Sequence, residues 1–227
     1  MIKIEDCIFA SPEQMEFVIM GMRNPKNSWS KSDSKLKLVD ETIMSEIHLG
    51  EADLNLMQRL SKAGSEHRKY LRMLPVWCNI TAPLYWWKEF DTYKIGTVSN
   101  SCSTMHKIAE KEFTLADFSI EHLNDDRSAE LSNVEWLEHL IHHLNRDRLR
   151  FIETKDKQYW WQLIQLLPSS YNQKRSIFMN GEVLLNIYNQ RWGHKLDEWR
   201  EFCFFIEDCP YWDFIEPGVL FRKVKGE

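Results

Sequence analysis

The same helix-start signal occurs twice in this sequence and constrains its fold more than any other feature. Ser11-Pro12-Glu13-Gln14 and Ser132-Asn133-Val134-Glu135 both match the capping box, in which a Ser precedes a Glu or Gln by three residues. Apolar residues follow the first box at helical spacing, in the run from Met15 to Met22. The chain has only 8 glycines and 7 prolines, which leaves little material for a loop-rich β sandwich. We therefore expect several helices and few strands.

The pattern along the chain predicts an α+β fold, with helices packed on a small mixed or antiparallel sheet. Residues 25–37 are rich in Ser, Lys and Asn and are predicted to form an exposed loop, and residues 97–104 a loop of small polar side chains. No repeat of solenoid period occurs, so we expect one compact domain over 1–227. The predicted helices cover about 11–24, 51–63, 83–96, 132–153, 157–167, 180–191 and 196–207, and the predicted strands or extended segments 2–9, 70–82 and 171–179.

Composition excludes several classes of protein. A hydrophobic content of 43% with 28% charged residues is typical of folded soluble domains. No run approaches the roughly 20 apolar residues of a membrane helix, and the first residues lack the features of a signal peptide. The five cysteines are scattered, which favours reduced thiols in a cytoplasmic protein. The net charge of −5 argues against a nucleic-acid partner.

Tryptophan is unusually frequent in this chain. It occurs 10 times, and aromatic residues make up 13% of the sequence. Such a surplus indicates either an aromatic core or surfaces on which flat ligands stack. Composition alone leaves these two interpretations open.

Three histidines on the predicted 132–153 helix raise the alternative of a metal-dependent hydrolase. His139, His142 and His143 share one helical face with spacings of three and four. No second cluster of metal-binding residues completes the set, so a solvated or packed helix face explains the pattern better. We therefore predict no metal site.

Other segments leave two interpretations open. His67 lies between a helix end and a strand, where it is either a ligand contact or a turn residue. The segment 99–104 suits a backbone-lined anion pocket but is also ordinary turn chemistry. Asn180, Asn186 and Arg191 share a broad face of one helix, which is either a site or a charged surface.

The order of these motifs resembles the flavin-dependent thymidylate synthases, also called thymidylate synthase complementing proteins. Leu167-Pro168, Asn180, Asn186 and Arg191 follow the family pattern without a gap. Glu66-His67, Ala82-Pro83 and Cys209-Pro210-Tyr211 also fit, so the resemblance spans about residues 1–215.

One motif departs from the family. Thr92-Tyr93-Lys94 stands where the family signature has Arg-His-Arg, so Lys94 alone keeps a positive charge there. Cys102 follows seven residues later, where the signature has Ser. The guanidinium group of an Arg can donate two parallel hydrogen bonds to one phosphate, which Thr or Tyr cannot do. If the ligands are unchanged, compensation must come from Lys88, Lys94, Lys107, Lys174 or Arg175. The alternative is a homologue whose degenerate signature no longer supports catalysis but which still binds a flavin or a nucleotide.

The resemblance implies a specific activity and site. Family members are homotetramers that bind FAD, dUMP and methylene-tetrahydrofolate, use NADPH as reductant, and convert dUMP to dTMP. Transferred to this sequence, the family pattern implies that Arg191 lies beside the uracil. There it would act catalytically, by stabilising negative charge on the ring. The residues implied to bind flavin are His67, Tyr93, Lys94, Asn180 and Asn186. The residues implied to bind the nucleotide are Glu89, Asn100, Ser101, Cys102, Ser103 and Lys174.

Overall fold

The computed structural model describes residues 2–38, 45–126 and 130–215, which form a mixed fold of helices and a small sheet. Four strands form one sheet in the order β1-β4-β6-β5, and β2 pairs antiparallel with β3 in a second, two-stranded sheet. The predicted fold class, helices packed on a small mixed or antiparallel sheet, is confirmed. The strands are β1 (Lys3–Phe9), β2 (Lys35–Leu38), β3 (Ser45–His48), β4 (Pro75–Pro83), β5 (Val98–Ser101) and β6 (Asn172–Asn180). The helices are α1 (Pro12–Arg23), α2 (Glu51–Lys62), α3 (Leu84–Phe90), α4 (Asn133–Thr154), α5 (Lys157–Leu166), α6 (Gly181–Arg191), α7 (Asp197–Asp208) and α8 (Trp212–Ile215).

Both predicted capping boxes are present and begin α1 and α4. Ser11 Oγ accepts from the Gln14 backbone N–H over 3.2 Å, and Gln14 Oε1 accepts from the Ser11 N–H over 2.9 Å. Ser132 and Glu135 make the equivalent pair at 3.2 and 2.8 Å. Each box satisfies backbone donors that a helix start leaves unpaired, so local sequence determines where these helices begin.

The segment 97–104 differs from its predicted loop, because Val98–Ser101 form strand β5 at an edge of the four-stranded sheet. All four side chains of β5 are exposed. An edge strand with no buried face has no alternation of apolar and polar residues, so its pairing with β6 leaves no periodic signal in the sequence. Similarly, the first part of the predicted 70–82 strand is a 3-10 turn over Lys69–Met73, and β4 begins only at Pro75.

The segment 25–37, predicted as an exposed loop, contains two 3-10 turns and the first residues of β2. Its course is determined by Asp53 of α2, whose side chain is completely buried. The Asp53 carboxylate accepts from Arg23 Nε over 2.5 Å, from Ser32 Oγ over 2.7 Å and from both the N–H and Oγ of Ser34. Burial alone raises the pKa of Asp53, but these hydrogen bonds outweigh it and hold the pKa below its usual value. One carboxylate thus holds this exposed segment on α2.

The chain divides into two compact units. Unit 1 comprises residues 1–3, 80–92 and 100–176, and unit 2 comprises residues 4–79, 93–99 and 177–227. The prediction of a single domain over 1–227 stays a prediction.

Aromatic side chains build the interior of unit 1. Trp86 and Trp87 are 0% exposed, and their ring centroids lie 5.0 and 5.3 Å from that of Phe90. Trp87 Nε1 donates to the Gln173 carbonyl over 2.9 Å, which satisfies the polar edge of that ring. A second cluster packs α4 and α5 together, and its buried members are Ile108, Ala109, Phe113, Phe118, Leu137, Ile141, Leu144 and Leu163.

Unit 2 has its own aromatic core, formed largely by α6, α7 and α8. Trp199 and Phe202 are 0% exposed and Trp212 is 1% exposed. Tyr188 packs 5.1 Å from the Trp212 ring and donates through Oη to Glu207 Oε1 over 2.7 Å. Four of the ten tryptophans, Trp86, Trp87, Trp199 and Trp212, therefore pack in the cores of the two units, whereas Trp29, Trp77, Trp136 and Trp161 are exposed.

None of the helices within the described residues has the length and apolar character needed to cross a membrane. All five cysteines are free thiols. Burial raises the pKa of Cys78 and of Cys203 to about 12, so these two thiols stay protonated at neutral pH.

Candidate functional site

Helix α6 carries three of the predicted site residues at its start, middle and end. Asn180 is the N-cap, and its Oδ1 accepts from the Val183 backbone N–H over 3.1 Å. Gly181 follows, and a Cβ at this position would lie 3.0 Å from the Leu71 carbonyl oxygen, so its small size allows α6 to approach the 3-10 turn. Asn186 is half-buried in the middle of the helix, and Arg191 is its last residue. Asn180 therefore has a structural role in addition to any ligand contact.

The side chain of Asn186 is bonded to a guanidinium. Arg68 donates from Nη2 to Asn186 Oδ1 over 2.9 Å and from Nε to Glu182 Oε1 over 3.3 Å. Arg72 donates from Nε to the other oxygen of Glu182. Burial alone raises the pKa of Glu182, but hydrogen bonds from Arg72 and Arg68 outweigh it and hold that pKa below its usual value. Glu182 thus binds two guanidinium groups, and one of them, that of Arg68, also contacts Asn186.

His67 lines a cavity of about 200 Å³ in unit 2. Its backbone N–H donates to the Gly64 carbonyl over 3.1 Å, while its imidazole is 57% exposed, with Nε2 3.5 Å from Glu66 Oε1. Lys26 and Lys69 also line this cavity and add positive charge to it. The two interpretations of His67 therefore coexist, because its backbone closes a turn while its ring lines a cavity.

Arg191 is held by a hydrogen bond and by an aromatic face. Its Nε donates to Tyr93 Oη over 2.9 Å, and Tyr93 Oη donates to Gln190 Oε1 over 3.0 Å. The guanidinium carbon lies 4.6 Å from the centroid of the Trp199 ring and 5.7 Å from that of Tyr93. An aromatic face attracts a guanidinium electrostatically. The half-buried Arg191 is therefore a cation with a defined orientation at the end of α6.

The short segment that follows Tyr93 approaches the start of α6 closely. Lys94 is exposed. Gly96 has φ +83°, and a Cβ there would lie 2.5 Å from Asn180 Nδ2. Thr97 Oγ1 is buried and, in the part of the chain that the structure describes, has no hydrogen-bond partner. A buried hydroxyl of this kind is a group that a bound ligand can satisfy.

The predicted nucleotide contacts lie in unit 1, where hydrogen bonds to the backbone order the segment that follows β5. The Cys102 N–H donates to the Lys174 carbonyl over 2.9 Å, and Gln173 Nε2 donates to the Cys102 carbonyl over 2.8 Å. Ser103 Oγ accepts from the His106 N–H over 2.9 Å. This segment and the neighbouring residue of β6 therefore present a row of exposed polar groups. The exposed side chains are those of Asn100, Ser101, Cys102, Ser103 and Lys174.

Glu89 lies near the end of α3 and is half-buried. Its backbone carbonyl accepts from Thr92 Oγ1 over 2.7 Å, which closes the helix end. The start of α3 is anchored by the Leu84 and Tyr85 N–H groups, which donate to the Tyr171 and Ser169 carbonyls over 3.0 Å. The helix that carries Glu89 is thus tied to the segment between α5 and β6.

Arg175, one of the cations expected to replace the missing arginines, already has partners in unit 1. Its Nε donates to Gln173 Oε1 over 2.9 Å and its Nη1 to Asp91 Oδ1 over 2.7 Å. Its guanidinium carbon lies 4.2 Å from the Trp87 ring centroid, and its side chain is 13% exposed. These contacts give Arg175 a structural role within unit 1.

Arg68, Gln190 and Trp199 contact predicted site residues or their hydrogen-bond partners but were not predicted themselves. Arg68 and Gln190 adjoin His67 and Arg191 in the sequence, and that adjacency was the only available signal. Trp199 lies on the next helix, and no spacing rule connects it with Arg191.

The histidines of α4 form no metal centre in the described residues. His139 and His142 line a shallow depression together with Glu135 and Glu138, and the His142 and His143 rings lie 6.2 Å apart. Within residues 2–38, 45–126 and 130–215, no group of three or more His, Cys, Asp or Glu side chains could hold a metal ion.

Comparison with known proteins identifies the fold. No family model and no curated protein matches the sequence. Among solved structures, thymidylate synthase X (ThyX) from Helicobacter pylori with FAD and dUMP matches with a TM-score of 0.65 and 17% identity, over 94% of this chain and 96% of that chain. A second structure of flavin-dependent thymidylate synthase ThyX from the same organism, also complexed with FAD and dUMP, matches with a TM-score of 0.63 and 16% identity, over 94% and 98%. The resemblance seen in the sequence is thus confirmed as a shared fold, and the chain has the fold of flavin-dependent thymidylate synthases.

Proposed function

We propose that this protein is a divergent flavin-dependent thymidylate synthase-like enzyme that converts dUMP to dTMP by reductive methylation. The observation that carries the proposal is the match, over 94% of the chain, to ThyX structures that contain FAD and dUMP. FAD would be the cofactor, methylene-tetrahydrofolate the carbon donor and NADPH the reductant. The order of Asn180, Asn186 and Arg191 along α6 supports the same activity.

The residues of unit 2 fit an anionic dinucleotide such as FAD. Lys26 and Lys69 line the cavity with His67, and Arg68 and Arg72 lie on the turn beside α6, whereas Glu66 and Glu182 supply two negative charges. The resulting excess of positive charge favours phosphate groups. The orphaned hydroxyl of Thr97 and the amide of Asn186 add polar groups suited to the edge of a flavin ring. His67, Asn186 and Lys94 are the side chains we propose for cofactor binding, with Asn180 holding the start of α6.

Arg191 is the proposed catalytic residue. When bound and reduced by NADPH, the flavin would supply the hydride for the new methyl group. A guanidinium that is already oriented by Tyr93 and Trp199 can stabilise negative charge that develops on the uracil ring without reorganising during the reaction. Arg191 would therefore act electrostatically, as a fixed positive charge.

The exposed polar row of unit 1 is proposed to bind the nucleotide. Asn100, Ser101 and Ser103 offer an amide and two hydroxyls, and Lys174 offers an ammonium group. Hydrogen bonds from charged donors to phosphate are stronger than neutral ones, so Lys174 is the proposed phosphate contact. Glu89 and Cys102 complete the proposed set.

A non-catalytic protein that binds a flavin or a nucleotide is the second candidate. The observation that favours it is the commitment of Arg175 to Asp91, Gln173 and Trp87, which removes one replacement for the arginines missing from the signature. In that case the protein would bind its ligands without turning them over.

Flavin binding and growth tests separate these candidates. The visible spectrum of the purified protein, followed by titration with FAD, tests cofactor binding directly. A protein that shows no flavin binding would contradict the enzyme and would leave only nucleotide binding for the second candidate. Expression in a thymidine auxotroph then tests catalysis. Growth without thymidine is expected for the enzyme, and flavin binding without growth would indicate the binding protein.

By the same resemblance we propose a cytoplasmic homotetramer. Unit 1 exposes large apolar side chains on α4 and α5, which are the kind of surface that a subunit contact covers. These side chains include Trp136 and Leu149, exposed by 64% and 59%, and Trp161 and Leu166, each exposed by 44%. Light scattering of the purified protein should give four times the mass of one 27.2 kDa chain.

A further inference from the structure

The hydroxyl of Tyr93 connects the last two residues of α6. Its oxygen accepts from Arg191 Nε over 2.9 Å, and its proton is donated to Gln190 Oε1 over 3.0 Å. A phenol has one proton and two lone pairs, so both bonds form at once and have defined directions. Tyr93 comes from the segment 93–99, whereas Gln190 and Arg191 end a helix, so this hydroxyl ties two separate parts of unit 2 together.

Trp199 completes the support around Arg191. The Tyr93 and Trp199 rings meet edge to face, with centroids 6.0 Å apart and planes inclined at 65°. The guanidinium lies over Trp199 at 4.6 Å. Trp199 is itself 0% exposed and thus held by the core of α7. The Trp199 ring determines the face on which the Arg191 guanidinium lies. The Tyr93 hydroxyl determines how the guanidinium is rotated on that face.

This rotation matters for the proposed chemistry. An arginine side chain has several rotatable bonds, and ordering it during a reaction costs conformational entropy. A group that is oriented before the substrate binds stabilises developing charge more effectively than one that must first reorganise. A stack on Trp199 alone tolerates in-plane rotation, but the bond from Nε to Tyr93 does not.

We infer that Tyr93 is a positioning residue for Arg191 through its hydroxyl, whereas any contact with a flavin belongs to its ring, which Tyr93→Phe keeps. The hydroxyl of Tyr93 holds the guanidinium in the orientation used for the uracil ring. This inference rests on the proposed function for its role in turnover, but the hydrogen bond itself can be tested without any ligand.

The first experiment measures the hydrogen bond in the full-length protein with no ligand added. The Arg191 Nε–H signal in a ¹H–¹⁵N spectrum is identified by its loss in Arg191→Lys, and its exchange with water is then compared between the wild type and Tyr93→Phe. We expect exchange about tenfold faster in Tyr93→Phe, because the acceptor is gone while the ring remains. Tyr159→Phe, whose ring faces Arg150 in unit 1, is the matched control and should leave the Arg191 signal unchanged. Equal exchange in the wild type and Tyr93→Phe would overturn the inference.

The second experiment measures turnover and cofactor affinity separately. In Tyr93→Phe we expect kcat to fall at least about tenfold, with the Kd for FAD changed by less than about twofold. A merely structural role would instead lower the midpoint of thermal unfolding and reduce FAD binding together with turnover. Faster exchange with unchanged kcat would overturn the positioning role. A wild type that binds no FAD would contradict the proposed function and the role in turnover, and the ligand-free exchange experiment distinguishes that failure from a wrongly assigned hydrogen bond.

Discussion

The backbone of Gly96 lies against the side-chain amide of Asn180. A Cβ atom at position 96 would lie 2.5 Å from Asn180 Nδ2, and Gly96 has φ +83°, where side chains are disfavoured. The other end of the same amide caps α6 through Val183. The segment 93–99 and the start of α6 are therefore positioned by one shared side chain.

Replacing Gly96 with Ala should destabilise unit 2 and disturb the start of α6. The left-handed backbone costs about 1–2 kcal/mol for a residue with a Cβ, and the contact with Asn180 adds to this cost. We expect the free energy of unfolding, measured with urea, to fall by about 2–3 kcal/mol.

Gly193→Ala is the matched control for this substitution. A Cβ at Gly193 would have no atom within 4 Å, so its free energy of unfolding should change by less than about 0.5 kcal/mol. Equal losses in the two variants would show that the approach of Gly96 to Asn180 is unimportant for stability.

Replacing Asp53 with Asn should release the segment around Ser32 and Ser34. The amide keeps the shape of the carboxylate, but it leaves the buried guanidinium of Arg23 without its negative partner. Breaking a buried ion pair from one side costs about 3–5 kcal/mol. We therefore expect a loss of about 3 kcal/mol in the free energy of unfolding. Glu110→Gln, which removes an exposed pair with Lys107, should cost less than about 1 kcal/mol and serves as the control.

The same carboxylate predicts a pH dependence of stability. The pKa of Asp53 is lower in the folded chain than in the unfolded chain, where a free Asp has a pKa of about 3.9. Its contribution is therefore present above the unfolded-chain pKa and is lost as the pH falls through the folded-state pKa. The difference in free energy of unfolding between the wild type and Asp53→Asn should shrink on acidification. A constant difference from pH 7 to pH 2 would contradict this assignment.

The cavity around His67 should govern cofactor affinity. Removing the imidazole in His67→Ala or the charge in Lys69→Gln should each raise the Kd for FAD about five- to tenfold, because each removes a group on the cavity wall. Added salt should weaken binding in the wild type more than in Lys69→Gln. Lys62→Gln, at the exposed end of α2, is the control. Unchanged FAD affinity in both cavity variants would exclude this cavity as the cofactor site.

Arg191→Ala should abolish most turnover while leaving the flavin bound. Loss of one preorganised electrostatic group typically lowers kcat by about 10²–10³-fold. Formation of dTMP, measured beside the visible spectrum of bound flavin, separates these two effects. Arg200→Ala on α7, which removes an exposed arginine paired with Asp197, should keep full activity. Equal activity in wild type and Arg191→Ala would remove Arg191 from the mechanism.

Local sequence predicted the parts of the fold that depend on residues close together in the chain. Capping boxes and helical spacing placed the starts of α1 and α4, and Asn180 marked the start of α6. Strand β5 was predicted as a loop because its exposed residues have no periodicity, and its existence depends on pairing with β6. The order of Asn180, Asn186 and Arg191 was also predictable from local sequence, because all three belong to α6 and its N-cap.

What the sequence by itself determined is the helical framework, the candidate residues on α6 and the resemblance that suggests a flavin and dUMP. Only the tertiary structure decided what those residues touch. Arg68 reaches Asn186, and Tyr93 reaches Arg191, across separations of 118 and 98 residues. Hydrogen bonds and aromatic contacts act over a few ångströms, so their partners are determined by how the chain folds back on itself and not by spacing along it. The tryptophan surplus shows the same division, because composition revealed the aromatic residues but only packing showed that Trp86, Trp87, Trp199 and Trp212 belong to the cores.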